Sequence, residues 1–471
     1  MLFPTTDFAL FLCLVFVGHW LLNHRPVAWK LFMIGASYVF YSWWDWRFVV
    51  LLASVSLLAQ AGVVMTMRQA EANRRRAAAV VTVALLLAPL AYFKYYGFFS
   101  VNLTNAFQGL GLHVGLPLAD VVLPVGVSFF TFMAVSYVVD VARGDAAVAS
   151  AIDAFLYLSF FPHLVAGPIV RPNELIPQLD IRRDQRHVDV TGAAWLIFGG
   201  LFKKVVISSY LADTIVNPVF GDPARHSALE AFFAVVGYAV VIYSDFSGYT
   251  DIAIGVAKLL GFEFPRNFDR PYSARTLQDF WRRWHMTLSR WLRDYVYIPL
   301  GGNQRGPRRT AINIMLTMVL GGLWHGAGWT FVFWGALHGG GLVAGRWRRA
   351  RRPDTRPETA AVVWGQRAAT FALVCLGWVF FRADSLGTAF GLLGRLLFGW
   401  TTPTLLVSPL VLGTIGLSLG MQFVPPGLGE RIRDRLATLQ PVPMGLLFSG
   451  VLFVITTLGP QGVAPFIYFR F

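Results

Sequence analysis

The sequence predicts an all-α fold, a polytopic bundle of membrane helices, and three observations carry that expectation. Hydrophobic residues make up 56% of the 471-residue chain and charged residues only 14%, against about 25% charged in soluble globular domains. Mean hydropathy is +0.56. Apolar runs of bilayer-crossing length recur from one end of the chain to the other, with the basic residues gathered between them. A soluble chain of this length would divide into several domains. Here a single helical membrane domain over residues 1–471 is expected.

The first apolar run starts directly after Asp7. No Lys or Arg precedes it and no small-residue cleavage site closes it, so it reads as a retained helix rather than a removed signal peptide. Candidate spans fall near 8–22, 29–44, 48–67, 77–96, 121–141, 153–170, 191–213, 229–244, 310–324, 328–345, 368–382, 386–400, 404–424 and 442–459. Several fall short of the roughly 20 residues that a perpendicular helix needs. About eleven true crossings are therefore expected, with re-entrant and interfacial helices making up the rest.

Net charge is +15. Its distribution fits cytoplasmic loops of a membrane protein, and nucleic acid is not an expected partner. Arg68 and Arg74–Arg76 mark one such loop, the run from Arg346 to Arg356 another, and the stretch 264–309, with ten arginines, a third. The loop holding Arg25 and Lys30 joins them, which places the N-terminus outside. Arg171, Arg182, Arg183 and Arg186 also look cytoplasmic, and a full span at 153–170 would contradict that. A re-entrant segment at Phe160–Pro168 (FFPHLVAGP) resolves the conflict, because its prolines and Gly167 break a helix. The two cysteines, Cys13 and Cys375, lie in apolar runs and read as buried hydrophobes.

From Asp279 to Tyr297 the helical period puts Phe280, Trp281, Trp284, Leu288, Trp291, Leu292 and Tyr295 in one arc of about 120°. Arg282, Arg283, Arg290, Arg293 and Asp294 fall opposite. A single helix lying in the membrane interface is expected, with His285 at the edge of its apolar arc, facing protein.

His325 is the sharpest candidate for chemistry. It sits in GGLWHGAG (Gly321–Gly328), near the turn of a hairpin whose flanks are both Arg-rich. An ionisable residue at membrane depth suggests function, an apolar site keeps imidazole neutral and basic, and the glycines allow close approach to a ligand. A histidine that only bonds a carbonyl in the hairpin is the competing reading. Spacing alone gives His285 a packing role on Trp281. His163 reads as packing too. His338, about 220° round the helix from His325, shares no face with it. Asp245 and Asp251 border an apolar stretch and need partners, for which Arg282, Arg283 and Tyr249 are candidates, and one of them could orient a histidine. No metal-ligand spacing, phosphate loop, dinucleotide fingerprint or nucleophile elbow is present in the sequence.

DFSGYTDIAIG (Asp245–Gly255), PRNFDRPYSA (Pro265–Ala274), DFWRRWHMTLSRWLRDYVYIPLGGN (Asp279–Asn303) and GLWHGAGWTF (Gly322–Phe331) follow in this order. In that order they resemble the membrane-bound O-acyltransferase family, in the branch of bacterial alginate, peptidoglycan and cellulose O-acetyltransferases. FFPHLVAGPIVR (Phe160–Arg171) and the ending FIYFRF (Phe466–Phe471) resemble the same branch. The likeness runs over the whole chain, with its most specific core at 245–331. It implies helices around a central funnel in a bacterial inner membrane, an essential histidine at His325 and a second at His285. It also implies an acyl donor from the cytoplasm, with acetyl-CoA expected and no permanently bound cofactor. The acceptor would be a polysaccharide hydroxyl, reached through a separate extracytoplasmic acetyltransferase partner. In that chemistry His325 is the expected base, while His285 or a backbone amide of the glycine-rich turn stabilises the oxyanion or positions the thioester. An acyl-histidine route is a further possibility. The D-alanyl transferases of teichoic acid synthesis share the RWH and WHG elements. Two other classes compete with the enzyme. A proton-coupled transporter or flippase would use the histidines as relays, but no inverted repeat is visible. A non-catalytic scaffold would tolerate His325→Ala.

Overall fold

A computed structural model describes residues 1–112, 121–351, 359–425 and 427–459. Arg352, Arg356, His113 and the FIYFRF ending lie outside the described residues. Helix is the only regular structure among those described. Among the described residues, five helices are long and apolar enough to cross a membrane: Arg47–Met67, Ala72–Gly109, Val190–Gly221, Ala228–Leu259 and Ala360–Arg382. The bent pair Pro409–Phe423 and Leu428–Ala437 makes up to six if it is one span, and shorter apolar helices lie at Thr6–Leu22, Leu386–Phe398 and Val442–Leu458. The sequence count of about eleven includes shorter helices of this kind. Six helix starts follow a local side-chain cap. Thr5, Ser150, Thr276, Thr359, Ser385 and Ser408 each accept a hydrogen bond from an amide of the first turn, which satisfies a donor that the helix leaves open.

The chain forms two compact units, residues 1–193 with 253–265, and residues 194–252 with 266–471. In the first unit, Ala151–Ser159 ends at Phe160, one turn follows at Phe161–Leu164, and the backbone then runs without helix to Arg171. Every residue from Phe160 to Val170 is buried, so the broken backbone is surrounded by protein, as the re-entrant reading requires. Lys30 lies 2.6 Å from both Asp153 and Asp180. Asn23 donates to the carbonyl of Arg183. The segment therefore begins and ends beside the same lysine, and the Arg182–Arg186 loop lies against the loop after Thr6–Leu22. His163 donates from Nε2 to the Tyr157 carbonyl at 2.9 Å and packs on Phe160 and Phe264. Its role is packing.

In the second unit, Val190–Gly221 crosses Ala228–Leu259 at Gly200 and Gly248. A Cβ on Gly248 would come 2.7 Å from the Gly200 carbonyl oxygen, so only glycine lets these backbones touch. Phe202–Ser208 is wound as a π-helix, a local feature often found at functional sites. The consecutive residues Lys203 and Lys204 pair with Asp251 and Asp245. These lysines answer the question of the carboxylates' partners, which sequence reasoning had sought among Arg282, Arg283 and Tyr249. The second pair is almost wholly buried, where a carboxylate needs a cation.

Gly306–His325 and Trp329–Arg351 form the expected hairpin. Its glycines serve the packing of helix on helix. A Cβ on Gly322 would overlap the Phe331 carbonyl, and one on Gly335 would lie 2.5 Å from the Met318 carbonyl oxygen. A Cβ on Gly326 would run into the Phe331 ring. Gly322 and Gly326 are thus taken up by packing, whereas a Cβ on Gly328 would meet nothing nearer than 3.6 Å.

Candidate active site

The interfacial segment differs from its sequence expectation at one informative place. The apolar arc is interior as expected, with Phe280, Trp284, Leu288, Trp291 and Leu292 all buried. The helix, however, is not continuous. Leu277–Arg283 stops at Trp284, and a second helix, Met286–Leu292, starts after His285. His285 has φ 41° and ψ 54°, one of two non-glycine residues with positive φ among the described residues. That conformation costs about 1–3 kcal/mol and persists only where the surroundings impose it.

The surroundings here are the preceding loop. Asp269 donates its amide to the Arg283 carbonyl and Met286 donates to the Asn267 carbonyl, both at 2.9 Å, so residues 267–269 clamp both sides of the break. The Asn267 side-chain oxygen then accepts three hydrogen bonds. The Thr287 amide gives one at 3.2 Å, the Thr287 hydroxyl one at 2.9 Å, and His285 Nδ1 one at 3.2 Å. A backbone amide can only donate, so the acceptor on Asn267 is its oxygen and the proton of a neutral His285 sits on Nδ1. Nε2 has no partner among the described residues. The ring is fully buried, and burial lowers its pKa to about 3, so it is neutral in the ground state.

His325 ends the first hairpin helix and is 2% exposed. Its ring lies 4.9 Å from Trp324, 5.1 Å from Trp334 and 5.1 Å from Phe381, centroid to centroid. The two imidazoles, 40 positions apart in the chain, approach to 6.5 Å. Phe246, from the DFSGYTD motif, stands edge-on to His285 at 4.6 Å. The fold thus brings together the two histidines that the family resemblance pointed to, in an aromatic box. His285 packs on Phe246, Phe268 and Trp324, in place of the packing on Trp281 that spacing suggested.

Trp281 instead donates to His338 Nδ1 at 3.3 Å. The helix-face argument that separated His338 from His325 fails, because the two lie on different helices and both pack on Trp334. His338 is nevertheless enclosed, with its Nε2 2.6 Å from where a Cβ of residue 377 would stand, and its role is to hold Trp281.

Trp281 and Met286 also line a cavity of about 530 Å³ that carries Arg282, Arg290, Arg346 and Arg349. Its size falls in the range of about 300–1,000 Å³ usual for small-molecule sites, and its charge suits an anionic ligand. Asn267, Trp334, Phe381 and the lysine pair were missed in the sequence. Asn267 lay inside a quoted motif, but no period links it to a histidine 18 residues on.

These features define a polytopic helical membrane protein with a buried two-histidine centre beside an arginine-lined cavity. The chain belongs to the membrane-bound O-acyltransferase family, whose model matches residues 34–381, and it is an acyltransferase by that membership. It is 36% identical to the probable alginate O-acetylase of Pseudomonas putida over the whole of both chains. It is 34% identical to the peptidoglycan O-acetyltransferase of Helicobacter pylori, covering 83% of this chain and 78% of that one. The teichoic acid D-alanyltransferase of Bacillus subtilis is 27% identical over 54% of this chain and 68% of its own.

Proposed function

We propose that this protein transfers an acetyl group from cytoplasmic acetyl-CoA, across a bacterial inner membrane, for O-acetylation of an extracytoplasmic polysaccharide. The observation that carries the reading is the convergence of His285 and His325 in one buried aromatic box beside an arginine-lined cavity. The arginines suit the phosphates of coenzyme A. The names of two relatives, a probable alginate O-acetylase matched over its full length and a peptidoglycan O-acetyltransferase matched over 78% of its own, support acetyl transfer to a glycan. The weaker and shorter match to D-alanyltransferases makes D-alanyl transfer the second reading.

In the transfer, a hydroxyl oxygen bonds to the thioester carbonyl carbon while the histidine pair, His325 foremost, removes the hydroxyl proton. The tetrahedral intermediate then collapses, the carbon–sulfur bond breaks, and the thiolate leaves with that proton. The start of Trp329–Arg351, where the Phe331 and Val332 amides donate to the Gly328 carbonyl, carries the positive end of its helix dipole, which suits a developing oxyanion. The final acceptor is a polymer hydroxyl outside the membrane, served by a separate extracytoplasmic acetyltransferase. Mass analysis of envelope glycans from cells with and without the gene tests the reading. Loss of glycan O-acetyl groups, restored by the wild-type gene and not by His325→Ala, is expected. Unchanged glycan acetylation would sink it, and loss of D-alanyl esters would favour the second reading.

A further inference from the structure

The tautomer of His285 has a consequence for its role. Its Nδ1 proton is committed to Asn267 Oδ1, whose orientation the Thr287 amide dictates. A neutral His285 therefore has no proton to give at Nε2, and an oxyanion needs a donor. We propose that Asn267 is the positioning residue of this centre, holding His285 as a proton acceptor at Nε2 and so excluding it as the oxyanion donor.

The spacing of the pair agrees. Rings with centroids 6.5 Å apart are too far apart for a direct N–H···N bond. Asn267 thus stands to His285 as an amide stands to the histidine of a cysteine–histidine–asparagine site, fixing tautomer and orientation without adding charge. The charged groups around His285 are otherwise spoken for. On the packed helix Ala228–Leu259, Asp245 is paired with Lys204. In the clamping loop, Asp269 lies between Arg270 and Arg283. Beside His285 in the chain, Arg283 is tied to Asp279, and from the hairpin the titratable neighbour is His325. A carboxylate placed at 267 would therefore act on His285 directly.

This inference rests on the acyl-transfer reading for its role and on geometry alone for its tautomer, so it is tested twice. In Asn267→Asp the new carboxylate accepts the same three bonds and stabilises the imidazolium, raising the His285 pKa. The acidic limb of the pH–rate profile then moves to higher pH, because the acceptor form is lost sooner as pH falls. Asn267→Ala should lower kcat roughly ten- to hundredfold with the donor KM unchanged. Nitrogen-15 NMR of histidine-labelled wild-type protein, with His285 assigned by difference from His285→Gln, should show the proton on Nδ1 and none on Nε2. A proton on Nε2 overturns the proposal, whether or not the Asn267 variants fold. An unshifted acidic limb in well-folded Asn267→Asp overturns it too. Absence of acyl transfer by the wild type would count against the function instead, and the NMR result would still decide the tautomer.

Discussion

His163 and His285 make an instructive pair. Both are fully buried, both sit where a helix breaks, and both commit one ring nitrogen to a hydrogen bond while the other has no hydrogen-bond partner among the described residues. His163 bonds a main-chain carbonyl and stands among Tyr157, Phe160 and Phe264. His285 bonds a side chain, takes up a left-handed backbone, and faces a second imidazole at 6.5 Å. Burial and a broken helix are thus not enough to mark a site. What separates the two is convergence, namely a second titratable group, a side chain that selects the tautomer, and a neighbouring cavity for an anion.

The largest effect that would break this comparison is on catalysis. His325→Ala and His285→Ala should each reduce acyl transfer by roughly a hundred- to ten-thousandfold, the usual contribution of a positioned acid or base. His163→Gln keeps a donor for the Tyr157 carbonyl and should retain wild-type turnover per folded molecule. The check is initial rate with labelled donor, normalised to detergent-extracted, correctly sized protein. Equal losses at His163 and His285 would erase the distinction.

A smaller effect is expected at the cavity. Arg346→Gln combined with Arg349→Gln removes two cations from its wall. Donor KM should rise about tenfold at low ionic strength, less in physiological salt, with kcat little changed. A steady-state titration of acetyl-CoA at two salt concentrations measures both. A fall in kcat alone would detach the cavity from donor binding.

The smallest effect concerns the link between cavity and box. Trp281→Phe keeps the ring packing but removes the hydrogen bond to His338, worth about 1 kcal/mol. Turnover should drop only severalfold and the unfolding temperature by a few degrees. A loss as large as that of His325→Ala would mean that His338, and not only the His285–His325 pair, takes part in the chemistry.

Much of this was legible in the sequence. The helical class follows from composition and run length, and each predicted span overlaps a helix, although Ala72–Gly109, Ala228–Leu259 and Ala360–Arg382 extend eight or more residues beyond theirs. The broken segment at Phe160–Pro168 could be deduced from its prolines and the conflict in arginine count. The burial pattern of 280–292 was readable because an apolar arc survives a local break. The break itself was not, because it is imposed by Asn267 and Asp269 through bonds to residues up to 20 positions away. The partners of Asp245 and Asp251 were hidden for the same reason, since Lys203 and Lys204 reach them from another helix, more than 40 positions earlier. Local pattern registers which residues are interior. It does not register which interior side chain meets which.

The central claim is that acyl groups pass through the membrane at the histidine pair while coenzyme A stays behind. Purified protein reconstituted in sealed vesicles of known orientation, given acetyl-CoA labelled in the acetyl group and separately in the adenosine, tests it most directly. Donor supplied at the arginine-rich face should be consumed, with acetyl label appearing on acceptor or water at the opposite face and the adenosine label staying where it was added. His325→Ala should abolish that movement. Consumption only from the opposite face, or passage of adenosine label across the membrane, would contradict the account.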